Sequence, residues 1–218
     1  SEDIPCATKL PVVNNFAAVD TERIVELHAD TAIAIPAQRP LTAGLQHAGV
    51  RVVYLHDDSY ADIFSVLRSL GALTGRERRA QRLIASLRAR TAALQASVKG
   101  RHRPSVLFVE QSLPLWTIGP RSYIATLIGL AGGRIATQSL PLAYAQFSDE
   151  ALLRADPDVI VATADAHIEN VLQREPWRSL KAVRAHHVFV APDTNALVRP
   201  GPEYVEGLQW LIARFSSL

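Results

Sequence analysis

Cysteine occurs once in the 218 residues, as Cys6, and methionine is absent. A lone thiol excludes an internal disulfide and a thiolate zinc site, but it leaves the redox compartment open. No apolar run approaches the roughly 20 residues that a membrane-spanning helix requires, and no signal-peptide pattern opens the chain. The chain begins on Ser1 instead of methionine, so the expectation is a processing boundary there, with further sequence upstream. An excess of one charge is missing too. Lys plus Arg number 23 against 21 Asp plus Glu, for a formal net charge of +2. The basic residues form no stripe interleaved with aromatics, so nucleic acid is not an expected partner. Also missing are a GxSxG elbow, a GxxxxGK[ST] phosphate loop and an HExxH helix. Ser, His and Asp are all present, yet nothing in the sequence brings them together, and no enzymatic activity is expected. A small α/β enzyme remains the alternative of a different class.

What the chain does have is apolar residues, 48% of the total, enough to bury a full core as one large domain or two small lobes. Short β-type runs alternate with helical patterns: ADTAIAI (29–35), VRVVYL (50–55), SVLFVE (105–110), DVIVAT (158–163) and HVFVA (187–191). That alternation predicts an α/β fold with largely parallel sheets. Between the second and third runs, Ile63, Val66, Leu67, Leu70, Leu83, Leu87 and Leu94 recur at helical spacing, with arginines filling other positions. Gly71 and Gly75 are expected to break or bend this segment near its middle. The predicted organisation is an N-terminal lobe (1–58), one long bridging helical segment (59–99) and a C-terminal lobe (100–218). AGGR, at 131–134, follows a helix and not a strand, so a helix C-terminus accounts for its glycines without a phosphate.

One pattern occurs twice. FAAVDTERIVELHADTAIA (16–34) aligns without a gap to YAQFSDEALLRADPDVIVA (144–162). Each copy sets an aromatic, Phe16 or Tyr144, before a capping residue, Asp20 or Ser148. A glutamate follows, Glu22 or Glu150, then an apolar helical stripe, an aspartate (Asp30 or Asp158) and a short strand. Two readings stand for the aromatics: they cap the core of their own lobe, or they meet at a cleft between two related lobes. For the glutamates the pattern alone favours helix stabilisation: a carboxylate in a first helical turn gains about 0.3–1 kcal/mol from the helix dipole.

The order and spacing of LPVVNNF, VDTERIVELHAD, GVRVVYLHDDSYADIFSVLRSLGALTGRE, VLFVEQSLPLWTIGP, FSDEALLRADPDVIVAT and VRPGPEYVEGLQWL cover nearly the whole chain. Together they resemble the substrate-binding proteins of metal-chelate ABC importers, the class with two lobes tied by a long helix, and most closely the cobalamin receptors. Members of that family begin with a further strand and helix ahead of a loop that corresponds here to DIP (3–5). The N-terminal lobe is therefore expected to lack its first strand-helix unit. The resemblance implies a periplasmic protein, free or lipid-anchored, that holds a corrinoid as transported ligand and needs no cofactor. It implies that Phe16, Tyr144 and Trp116 lie against the corrinoid, large flat faces with few rotatable bonds. Asp193 and Arg199 correspond to residues that reach its polar groups, with a longer spacing between them here. Core packing is the competing role for Trp116, and capping or salt bridging for Arg199. Glu22 and Glu150 match the carboxylates that dock onto arginines of the permease dimer, a pairing suited to orientation and rapid association. Siderophore and haem receptors share the fold and the RPGP ending, so a ferric siderophore or haem is the alternative cargo.

Of the histidines, only His56, followed by Asp57 and Asp58, forms a cluster worth testing for a bare metal ion. The loops around Phe16 and Trp116 add no ligands to it, and no metal site is expected.

Overall fold

The computed structural model describes residues 7–14 and 18–218. Its internal contacts divide the chain into two units, Ser1–Asp57 and Asp58–Leu218. Phe16 lies outside the described residues.

In the first unit, helix α1 (Thr21–Glu26) leads into strand β1 (Thr31–Ala34), and helix α2 (Arg39–His47) leads into strand β2 (Arg51–Tyr54). Asp20 starts α1 as expected, its side chain accepting a hydrogen bond from the Arg23 amide at 2.9 Å. Pro40 at the start of α2 supplies a φ already suited to the first turn. The strands pair in parallel, Thr31 with Arg51 through Ala34 with Tyr54, with α2 as their crossover. Ile24, Leu45 and Val50 are the buried centre of this unit. Among the described residues β1 pairs with β2 alone.

The second unit opens with the helical segment, which is two helices, α3 (Tyr60–Leu73) and α4 (Glu77–Val98). The break falls at Thr74–Arg76, around Gly75, as its sequence suggested. Gly71 packs against Ala80, while the Arg88 guanidinium lies over the Phe64 ring at 4.9 Å. Contacts that move back along α3 as they move forward along α4 define an antiparallel pair. In α4 Leu87 is buried and Leu94 packs against the core as expected, while Ile84 is buried in place of Leu83, which is 37% exposed. Ile63, Phe64, Ile84 and Leu87 belong to the core of this unit.

That core flanks a six-stranded sheet in the order β6-β4-β3-β7-β8, with β5 also paired to β3. The strands are β3 (Ser105–Ser112), β4 (Leu115–Ile118), β5 (Arg134–Ile135), β6 (Tyr144–Gln146), β7 (Val159–Ala162) and β8 (Val188–Val190). Strands β5, β7 and β8 run parallel to their neighbours, while β4 is antiparallel to both β3 and β6. Alternation along the strands assigns the two faces. Val106, Phe108, Ile118, Val159 and Val161 meet α3, α4, helix α5 (Tyr123–Leu130) and, beyond β8, the C-terminal helix. Leu107, Val109, Leu115, Ile160 and Ala162 meet Leu152 of helix α6 (Asp149–Ala155), Trp177 and Ala182 of helix α7 (Lys181–Arg184). Burial on both faces explains why SVLFV and VIVA read as unbroken apolar runs. The chain closes with helices α8 (Asn195–Val198) and α9 (Tyr204–Phe215).

All five expected strands form, each within or near its expected bounds. Strands β4, β5 and β6 are additional. Trp116 and Tyr144, read from sequence as loop residues, lie in β4 and β6. The glycines of AGGR close α5: Gly132 takes φ +86° and the Gly133 amide donates to the Ile128 carbonyl at 2.9 Å.

The doubled pattern is matched element by element. Helices α1 and α6 and strands β1 and β7 occupy corresponding positions of the ungapped alignment. His28 and Asp156, also corresponding, both adopt a left-handed backbone, φ 53° and 31°, between helix and strand. Such a conformation is uncommon outside glycine, so its recurrence marks a shared turn that residue identity does not advertise. Ser148 caps α6 through the Ala151 amide at 3.2 Å, the counterpart of Asp20. Asp158 ties the start of β7 to β3 by accepting from the Ser105 amide at 2.7 Å, and it pairs with Lys181 at 3.0 Å. Partial burial works against its charge, yet these bonds prevail and hold its carboxyl below the usual range.

Candidate functional site

Strands β3, β7 and β8 run in one direction, so their carboxyl ends finish along one edge of the sheet in the second unit. Ligands of open α/β sheets sit characteristically outside that edge. Backbone and hydroxyl groups knit it together. The Thr163 hydroxyl donates to the Glu110 carbonyl at 3.3 Å, and the Ala164 amide donates to the Thr194 hydroxyl at 3.3 Å.

The β3–β4 hairpin returns from this edge. Its register pairs Val109 with Thr117 but Gln111 with Trp116, which leaves Glu110 as an extra residue in β3. A bulge of this kind re-aims side chains where a strand ends. Because Thr117 and Trp116 face opposite sides, Val109 and Gln111 must as well, so Glu110 and Gln111 both project to the side of Trp116. Strand β6 continues that face, with Trp116 opposite Gln146 and Ile118 opposite Tyr144. Trp116 and Tyr144 are thus diagonal neighbours, a separation aromatic side chains reach across. They are 37% and 40% exposed, whereas Ile118 on the same face is fully buried. Core packing does not account for either aromatic.

Two carboxylates, Glu110 and Asp58, act on the Tyr144 end of this patch. Burial raises the Glu110 carboxyl above its ordinary value. Partial burial raises the Tyr144 hydroxyl, and the nearby Glu110 and Asp58 carboxylates push it in the same direction.

Asp193 and Arg199 follow β8. One Asp193 carboxylate oxygen accepts from the Asn195 amide at 2.9 Å and the Ala196 amide at 3.3 Å, so it also starts α8. Arg199 ends that helix, its amide donating to the Asn195 carbonyl at 3.0 Å, and its side chain is exposed. The RPGP turn then leads to Tyr204, whose hydroxyl lies 2.6 Å from that of Thr91 and 3.2 Å from that of Tyr60. Tyr60 packs edge-on against Tyr204 and Phe64, each at 5.2 Å. This buried node fixes the start of α9, and with it the segment carrying Arg199.

Glu22 and Glu150 are exposed in the first turns of α1 and α6. Each sits two residues beyond a satisfied cap, with its carboxylate directed to solvent-accessible surface. Among the described residues no group of three or more His, Cys, Asp or Glu is placed to hold a metal ion. A concavity of about 500 Å³ lies elsewhere on the second unit, between the β3–β4 turn, Phe147, Arg174 and Trp177. No described helix is long and apolar enough to cross a membrane.

The sequence reading missed Glu110. Its signal was a charged residue closing the otherwise apolar run SVLFVE, but a strand end next to solvent is an ordinary place for glutamate.

Comparison with known proteins places these features in a family. The family model described as "Periplasmic binding protein" matches residues 2–194. The uncharacterized ABC transporter substrate-binding lipoprotein YvrC of Bacillus subtilis is 24% identical over 88% of this chain and 64% of its own length. A cobalamin-binding protein of Halobacterium salinarum is 30% identical over 98% of this chain and 61% of its own length. The chain therefore spans less than two thirds of either relative. Among solved structures, the periplasmic heme-binding protein BhuT in complex with two hemes superposes with a TM-score of 0.86. That match has 22% identity and covers 98% of this chain and 85% of the other.

Proposed function

The chain belongs to the periplasmic binding protein family, and from that premise we propose that it is a substrate-binding receptor of an ABC importer whose cargo is a corrinoid of the cobalamin type. The observation that carries the reading is the exposed pair Trp116 and Tyr144 on adjoining strands at the carboxyl edge of the sheet. Flat aromatic faces of this kind match a broad apolar ring, burying large area at small entropic cost. The name of the Halobacterium relative supports the choice of cargo. Phe16, which opens the first copy of the repeat, contributes a further aromatic face in this reading. Asp193 and Arg199 meet polar groups at the ring margin. The protein works outside the cytoplasmic membrane, free or lipid-anchored, and delivers its cargo chemically unchanged.

Calorimetric titration with cyanocobalamin, haemin and a ferric siderophore tests the cargo. Cyanocobalamin is expected to bind with a Kd of about 1 µM or tighter, near −8 kcal/mol. Tight binding of another chelate in its place would change the cargo and leave the transport role standing. No binding of any of them would overturn the receptor reading.

Delivery is assigned to Glu22 and Glu150, which meet arginines of a two-fold permease dimer. Replacing both by alanine is expected to lower uptake in cells by about tenfold or more, through docking orientation and rate. Affinity for the cargo should not change. Unaltered uptake would return both residues to helix-dipole stabilisation.

A further inference from the structure

Glu110 combines features that core packing does not explain. It is the extra residue of the β3 bulge, projecting to the same side as Trp116 and close enough to Tyr144 to perturb its hydroxyl. It is half-buried, and its carboxylate has no hydrogen-bond or ion-pair partner among the described residues. Only its main-chain carbonyl is engaged, by Thr163. Removing a carboxylate from water without a partner is costly, and a fold that retains one at the rim of a site points to a ligand group that satisfies it.

We propose that Glu110 is a specificity-determining residue: its carboxylate accepts hydrogen bonds from amide or other N–H donors on the rim of a ring-shaped chelate, and it rejects chelates whose rim carries carboxylates. This deepens the receptor reading and rests on it. A ligand seated on Trp116 and Tyr144 strips further water from Glu110, so the rim group that meets it decides the outcome. A carboxamide gives a charge-assisted hydrogen bond, stronger than a neutral one. A carboxylate meets like charge. A corrinoid carries carboxamide arms, whereas haem carries two propionates. The same aromatic platform fits both rings, so discrimination between them has to come from the margin.

The test titrates the wild-type chain, Glu110→Gln and Glu110→Asp with cyanocobalamin and with haemin, following ligand absorbance. Glutamine preserves shape and an acceptor oxygen but removes the charge. In Glu110→Gln the ratio of haemin to cyanocobalamin affinity is expected to rise about tenfold, one charge-assisted contact's worth. Glu110→Asp keeps the charge and should retain the wild-type preference. The melting temperature of Glu110→Gln should match or exceed that of the wild type, because an unpaired carboxylate is lost. A wild type that binds either chelate, with the ratio unchanged in Glu110→Gln, overturns the role of Glu110 alone. A wild type that binds neither overturns this inference, and it overturns the receptor reading as well only if the ferric siderophore also fails to bind.

Discussion

Replacing Trp116 and Tyr144 together by alanine should weaken cyanocobalamin binding by about 100-fold or more, measured by titration calorimetry. Trp116 and Tyr144 are 37% and 40% exposed, and neither belongs to the buried core, whereas the adjoining Ile118 does. Truncating a central aromatic contact commonly costs 2 kcal/mol or more, and about 4 kcal/mol for the pair corresponds to nearly a thousandfold. Non-additivity between neighbouring residues lowers that figure, so 100-fold is the conservative bound. The melting temperature should fall as well, because more than half of each side chain is covered, so affinity is compared on protein shown to be folded by circular dichroism. Unchanged affinity in a folded double variant would move the binding surface off this edge. The concavity beside Trp177 would then be the next place to examine.

Gly119→Ala should destabilise the chain by about 3 kcal/mol, at the upper end of what overpacking costs. Gly119 follows β4 where its amide donates to the Ala143 carbonyl at 2.8 Å. A methyl group there would overlap the Leu142 carbonyl oxygen and stand 3.2 Å from Leu140. The first obstacle is main chain, which has no rotamer by which to yield, so the β4 and β6 segments must separate. For a chain of this size that cost lowers the melting temperature by about 6–12 °C in calorimetry. Separation of β4 from β6 also displaces Tyr144 from Trp116, so ligand affinity should fall in the same variant although Gly119 reaches no ligand. A melting temperature within error of the wild type would show that the strands accommodate the methyl group.

The parts of the fold legible in the sequence are those where periodicity and burial agree. VIVA and SVLFV are buried on both faces and read as strands by composition alone, and the repeat fixed the caps Asp20 and Ser148 by position. LWTI was harder. Its four residues follow Leu113-Pro114, and its apolar residues serve three surroundings: Leu115 in one core, Ile118 in the other and Trp116 at the surface. Alternation holds along β4, but both of its faces carry apolar residues, and the β3 bulge changes which residues of β3 stand opposite them. YAQ has only three residues and is a strand because β4 lies beside it. Local sequence held the positions of Trp116 and Tyr144, but their adjacency depends on a pairing that sequence spacing does not encode. The importance of Glu110 was hidden for the same reason. A bulge is a property of two strands, and neither strand alone announces it.

The repeated pattern ends in two strands with different surroundings. Strand β7 has a parallel neighbour on each side, β3 and β8, while β1 pairs with β2 alone among the described residues. The same local code is therefore set between two ladders in the second unit and, among the described residues, on one ladder in the first. Opening β7 requires breaking two ladders and both apolar layers, so its amides belong to the last part of the protein to loosen. Opening β1 disturbs one ladder and a small cluster around Ile24, Leu45 and Val50. Among the described residues, one sequence motif thus sits at two different local opening free energies, lower at β1 than at β7.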